Sequence, residues 1–206
     1  MAKQQQQTIP PDPREWRPQR LDLRGSVAYI DNPIAEPSWS GTRVLAFFHE
    51  AEQPDEWGRV EVIDEEGDDA SGSAPRAFDH LRRSILAREA VIDGIVTEQT
   101  IDPGVSMEFD ANRAGLGKDL AFVVVDLLRI DHQTLFDVPL LERKRLLEGM
   151  IQQSPLVRLS PWVTPPIHAW LRTWRSAGFK GAIVKAANSR YVPGSMTVEW
   201  AIVETA

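Results

Sequence analysis

The run LAFVVVDLLRI, residues 120–130, constrains the fold more than any other stretch of the chain. It is nearly all apolar, as a strand buried on both faces would be. Such a strand needs other layers over both of its sides. The segment after it, PLLERKRLLEGMIQQ (139–153), predicts a helix: Pro139 sits near the first turn, and Leu140, Leu147 and Ile151 form an apolar stripe.

Upstream, RVLAFFHE (43–50) and GRVEVIDEE (58–66) read as strands joined into a hairpin through AEQPDEWG, the second alternating at Val60, Val62 and Asp64. VAYI (27–30) reads as a short strand, and RAFDHLRRSILARE (76–89) as a helix with Phe78, Leu81 and Ile85 on one face. AVIDGIVTEQTI (90–101) reads as a strand interrupted at Asp93-Gly94. TPPIHAWLRTWRSAG (164–178) reads as a helix opened by Pro165-Pro166 and closed by Gly178. GAIVKAA (181–187) and MTVEWAIVE (196–204) read as strands around an SRYVPGS turn. Strands and helices mix without a βαβ rhythm. The expected class is therefore α+β, with two antiparallel sheets and flanking helices. Residues 1–20, rich in Gln, Pro and Arg, read as a flexible arm, and residues 21–206 as one domain.

Composition excludes several classes of function. The 206 residues include no cysteine, which removes disulfides, thiolate metal sites and a Cys nucleophile. No apolar run approaches the roughly 18 residues of a membrane helix, and the polar start MAKQQQQTIPPDP is not a secretory signal. A cytoplasmic protein with no membrane partner is expected. The four histidines lack metal-ligand spacing, and no P-loop, G-x-G-x-x-G or G-x-S-x-G pattern occurs. The net charge of −7 argues against indiscriminate binding to nucleic acid, but the charge is uneven. Residues 50–69 hold ten acids and one base, whereas residues 140–198 hold nine bases and two acids. That asymmetry suggests either a solvated surface or a basic face for an acidic partner or a phosphate backbone.

Four stretches in order carry a resemblance. EPSWSGTR (36–43) follows the pattern E-x-K-x-D-G-x-R, and AVIDGIV the pattern L-D-G-E. FVVVDLLRIDHQTLFDVPLLERKRLLEGMI follows F-D-L-L and then P-L-x-x-R-R-x-x-L. GFKGAIVKAANSRYVPGSMTVEWAIVE follows E-G-V-V-x-K, S-x-Y-x-P-G and W-x-K-x-K. Together they resemble the adenylation (nucleotidyltransferase) domain of ATP-dependent DNA ligases, a fold shared with mRNA capping enzymes and likened to ATP-grasp. The resemblance implies a nucleotide cleft between two sheets, and a link to DNA repair. It also implies that the OB-fold domain with which family ligases continue is not part of this sequence.

Set against the family pattern, the catalytic positions are replaced. The nucleophilic lysine is Ser38 and the motif aspartate is Ser40. The carboxylate after Asp-Gly is Ile95, the adenine-stacking aromatic is Val125, and the metal-binding glutamate is Lys180. The closing lysines are Ile202 and Glu204. Phosphoryl transfer rests on positioned cations and metal, so a catalytically inactive scaffold with no cofactor is the leading expectation. Of the surviving positions, Arg43 and Lys185 are the candidate phosphate contacts. Gly41, Gly94, Gly194, Tyr191, Trp200 and Asp126 read as turn, packing or hydrogen-bonding residues. One alternative is an active ligase or nucleotidyltransferase, using ATP and Mg²⁺, whose lysine has moved to Lys118. Another is a nucleic-acid-binding module built on the basic 140–198 region. A further expectation pairs Lys180 with Asp93 or Glu204 inside the cleft. A protein partner and a nucleic-acid partner both remain open, as does the oligomeric state.

Overall fold

The computed structural model describes residues 12–23, 30–53, 57–98 and 120–204. Sheet A has the order β1 (Arg20–Asp22), β10 (Met196–Glu204), β9 (Gly181–Ala186), β2 (Pro33–Pro37). Sheet B has the order β4 (Arg59–Asp64), β3 (Thr42–His49), β5 (Glu89–Thr97), β6 (Ala121–Ile130), β7 (Gln133–Thr134), and β8 (Val157–Leu159) pairs with β6. Among the described residues, the α-helices α1 (Pro75–Ser84), α2 (Leu140–Met150) and α3 (Ile167–Ser176) flank the sheets. This is the α+β architecture expected, with antiparallel pairing except at β1–β10 and β6–β8.

β6 explains the arrangement. Its residues alternate between two apolar clusters. Phe122, Val124 and Leu127 pack with Leu81 and Phe78 of α1 and Leu147 of α2. Val123 and Val125 pack instead with Ala182 and Val184 of sheet A and Trp174 of α3. The strand is thus covered on both faces, as its composition demanded.

Several boundaries differ from expectation. α1 stops at Ser84 because Ile85 turns extended and bridges to Ile151, while the Leu86 N–H donates to the Met150 carbonyl. The same contact ends α2 before residues 151–153. β5 is continuous through Asp93-Gly94, and the local register shift there is a bulge rather than a break. The close approach at Gly94 leaves no room for a side chain, since a Cβ would lie 2.4 Å from the Phe122 ring. β2 was not anticipated at all. It spans Pro33 to Pro37, pairs fully with β9, and meets Val163 at Ala35 on its other side. Residues 27–29 of the VAYI segment lie outside the described residues.

The flexible arm does not extend over residues 12–20. Trp16 is buried and packs edge-on to Phe136 at 4.5 Å. Gln19 is buried too, and its side chain donates to Thr197 Oγ1 at 3.0 Å and accepts from the Val192 N–H at 2.7 Å. One apolar anchor and one amide with both ends satisfied hold this segment down, which its polar composition concealed. Among the described residues no helix is long and apolar enough to cross a membrane.

Candidate functional site

The motif residues come together where β2, β3 and β5 of the two sheets meet α2 and β9. β5 and β6 pair so that Asp93 lies opposite Asp126, both with no exposure. Two buried carboxylates on neighbouring strands each need a cation of their own. Arg43 supplies one, with Nε 3.0 Å from Asp93 Oδ1 and Nη2 2.6 Å from Oδ2. Arg143 supplies the other through a two-pronged contact with Asp126, both bonds 2.8 Å. Tyr191 links the two pairs: its hydroxyl donates to Asp93 Oδ2 at 2.8 Å, and the Arg143 guanidinium lies 5.8 Å from its ring centre.

A third buried cluster centres on Glu36. Its Oε1 is 2.8 Å from Lys185 Nζ and its Oε2 is 2.9 Å from Lys144 Nζ. Lys144 also donates to the Val125 carbonyl at 2.8 Å, and Lys185 lies 4.3 Å above the Trp200 ring. Burial alone would raise the Glu36 pKa, but Lys144 and Lys185 outweigh it and hold the carboxyl below its ordinary value. Burial would likewise raise Asp126, and Arg143 pulls it below the usual range. Burial lowers Lys144, with Lys185 adding to that effect and Glu36 opposing it. Burial raises the Tyr191 phenol well above its usual value, and Asp93 adds to the shift.

Loss of stability in acid follows from these directions. The Glu36 and Asp126 carboxyls are depressed in the folded state. As pH falls, the unfolded chain takes up protons at these groups first. Their stabilisation is complete above the ordinary carboxyl range near pH 4 and is lost as pH drops through the depressed folded values. The slope is about 1.4 kcal/mol per pH unit for each group. Urea unfolding from pH 6 to pH 2 is expected to show this decline. A flat profile below pH 4 would show that the pairs are not formed.

Arg43 and Lys185, the candidate phosphate contacts, are therefore both engaged inside the protein. The Lys185 side chain is 3% exposed, and Arg43 spends its remaining Nη1 on the Gln19 carbonyl at 2.6 Å. The basic region 140–198 is correspondingly smaller as a surface than as a sequence. Arg143, Lys144 and Lys185 are interior, and Arg145 and Arg190 pair with Glu142 and Asp137. The exposed bases of that region are Arg145, Arg172 and Arg175 on the helices, Lys180 and Arg190. Periodicity could have flagged the interior pair. Leu140, Arg143, Lys144 and Leu147 follow the i, i+3, i+4, i+7 pattern of one helix face, so both bases stand on the apolar stripe.

The replaced positions have other neighbours. Ile95 and Val125 are buried in one apolar cluster with Trp39, Phe179, Trp174, Ala182 and Val184. Trp39 meets Phe179 edge-on at 4.9 Å, and its indole N–H donates to Ser160 Oγ at 3.0 Å. Ser38 is half-buried, and its N–H donates to the Gly181 carbonyl at 2.9 Å. Lys180 is exposed just before β9, and the Asp93 carboxylate is bound by Arg43 and Tyr191. The Glu204 side chain and Lys118 lie outside the described residues. Among the described residues no group of three or more His, Asp or Glu stands close enough to hold a metal ion.

Comparison with known proteins agrees with this architecture. The family model described as "ATP dependent DNA ligase domain" matches residues 30–202. DNA ligase 2 of Methanosarcina acetivorans is 24% identical over 151 residues, covering 65% of this chain and 27% of that protein. The DNA ligase of Archaeoglobus fulgidus is 24% identical over 202 residues, covering 89% of this chain and 34% of that protein. The chain thus spans about a third or less of the length of these relatives. Among solved structures, the mycobacterial DNA ligase D complexed with ATP and MES superposes with a TM-score of 0.69 at 19% identity, over 94% of this chain and 61% of that one. The ligase domain of Mycobacterium tuberculosis LigD gives 0.68 at 20% identity, over 94% and 60%. These two likenesses establish the nucleotidyltransferase fold of DNA ligases. With the family model covering most of its length, this chain belongs to the ATP-dependent DNA ligase domain family.

Proposed function

We propose that this chain is a ligase-family adenylation domain that does not adenylate and serves as a binding or accessory scaffold in the cytoplasm, in a setting linked to DNA repair. The observation that carries the reading is the fate of two sets of residues. The positions that should face nucleotide and metal, Ile95 and Val125, close an apolar cluster around Trp39. The surviving charged positions, Glu36, Arg43, Asp93, Asp126 and Lys185, are engaged within the protein. What survives is what holds the fold, and fold can outlive chemistry. Lys144 and Lys185 are amines close to the motif, but each is enclosed and bound to Glu36, which keeps them from acting as nucleophiles.

The test is the intact mass of the denatured protein after incubation with ATP and Mg²⁺. No change is expected. A gain of one AMP would overturn the reading, and an adduct mapped to Lys118 would establish an active enzyme with a displaced lysine. Ser38→Lys alone is expected to leave the mass unchanged as well, because the absent partners act as a unit with the nucleophile. AMP transfer by that single variant would show that the rest of the site is intact.

A second reading, contact with nucleic acid, is favoured by α3. This helix carries exposed Arg172 and Arg175 with Trp170 at 37% exposure and has no acidic residue. Any DNA binding is expected to be weak, to weaken steeply with salt and to fall on Arg172→Ala/Arg175→Ala. Salt-independent binding, or binding indifferent to those changes, would sink it. Neutralising Arg143 and Lys144 is no test of this reading, since both are interior and their loss would unfold the domain.

A further inference from the structure

Sheet A ends on two strands that differ in cover. On one side β2 is met by Val163 at Ala35. On the other side β1 pairs with β10, and among the described residues no strand lies beyond it. The Arg20 N–H donates to the Ser195 carbonyl at 2.8 Å, toward β10. Peptide groups alternate sides along a strand, so the N–H and C=O of Leu21 face the open edge. Exposed apolar side chains gather at the same edge. Leu23, directly after β1, is 72% exposed. Met196, the β10 partner of Arg20, is 57% exposed, and Val198 is 74% exposed. Charge of one sign, or proline, would blunt such an edge against pairing. β1 carries instead one charge of each sign, Arg20 and Asp22, on either side of Leu21.

We propose that this edge pairs with the same edge of a second copy of the chain, antiparallel about a twofold axis through Leu21. The charge order selects that occupant. Antiparallel pairing centred on Leu21 sets Arg20 of each copy opposite Asp22 of the other, so two opposite-charge pairs form at once. A register shifted by one residue breaks both pairs. In-register parallel pairing would set Arg20 beside Arg20 and Asp22 beside Asp22. In the centred register the Leu21 N–H of each copy donates to the Leu21 carbonyl of the other, which closes the edge. Arg20 is exposed. Asp22 is half-buried and has a contact in its own chain, which an opposing Arg20 supplements. Exposed ion pairs contribute little affinity, so these two set the register, while Leu23, Met196 and Val198 of both copies lose water. The pairing needs neither nucleotide nor metal, so it stands or falls separately from the scaffold reading.

Sedimentation velocity of the full chain from about 5 to about 500 µM tests this, with a weak dimer of Kd on the order of 10–100 µM expected for so small an edge. Arg20→Asp and Asp22→Arg should each weaken self-association at least about tenfold, since like charges then face one another twice. Mixed in equal amounts, the two variants should associate with each other as strongly as the parent does, because every facing pair is again of opposite sign. Val198→Asp, which leaves both charges in place, should also weaken the dimer. Circular dichroism melts establish that each variant is folded. If Asp22→Arg is not, Arg20→Asp and Val198→Asp, both at exposed positions, decide the outcome. A monomer at every concentration would overturn the proposal. So would a dimer indifferent to Arg20→Asp and Val198→Asp, or folded charge variants that fail to pair when mixed. None of these outcomes bears on AMP transfer, which tests the cleft alone.

Discussion

Glu36→Ala is expected to destabilise the domain by about 3–5 kcal/mol, because it leaves two buried ammonium groups without their counter-ion. The carboxylate lies between Lys144 and Lys185, which are 4% and 3% exposed in their side chains. Neither lysine can swing to solvent without leaving a hole: Lys144 is tied to the Val125 carbonyl and Lys185 is held over Trp200. Urea unfolding measures the loss. Adding Lys144→Met to Glu36→Ala should recover part of it, since the double change removes one orphaned charge and fills the space with an apolar chain. A loss below about 1 kcal/mol, the size of an exposed ion pair, would mean the cluster is open to water.

Trp39→Ala is the second large effect, again about 3–5 kcal/mol, from removing a buried aromatic and leaving a cavity between the sheets. The ring is 8% exposed, packs on Phe179 and anchors its N–H on Ser160. Beyond the lost area, Ser160 Oγ loses its buried donor, which adds to the cost. The void should stay apolar, lined by Ile95, Val125 and Phe179. The variant should therefore gain no AMP-transfer activity, although the space between the sheets has been enlarged. A melting temperature equal to the parent's would show that Trp39 does not fill this interior.

The architecture was legible where one residue type dominated a stretch. β6 announced itself by an unbroken apolar run, the β3–β4 hairpin by alternation, and α2 by its stripe. The hidden elements depend on partners distant in sequence. β2 begins and ends on proline and carries Glu36, so nothing local marks a strand; it exists because β9 pairs with it. The anchoring of Trp16 and Gln19 depends on Phe136, Thr197 and Val192, more than a hundred residues away. For the site, the sequence offers the motif resemblance, which sets Ser38, Ile95 and Lys180 at positions where the pattern has other residues. The roles of the survivors were harder to read. A lysine or arginine in sequence suggests a surface charge, and only the fold shows that Arg43, Arg143, Lys144 and Lys185 meet Asp93, Asp126 and Glu36 in the interior. The one usable local signal was the helical spacing of Arg143 and Lys144 between Leu140 and Leu147.

These pairings recast the surviving motif residues as structural. Arg43 commits a donor from each of its three nitrogens to Asp93 and the Gln19 carbonyl, and drawing it away to a phosphate would leave Asp93 with the Tyr191 hydroxyl. Trp39 and Phe179 also share one buried apolar cluster with Ile95 and Val125; if a nucleotide bound there, as proposed for family members, it would have to open that cluster.

Titration calorimetry of the full chain with ATP and Mg²⁺ tests the central claim most directly. The expected result is no saturable heat in the micromolar range, at a pH where all the interior pairs are formed. A single-site isotherm with micromolar Kd, weakened when Val125 is changed to a bulkier apolar residue, would place the nucleotide between the sheets and contradict the account.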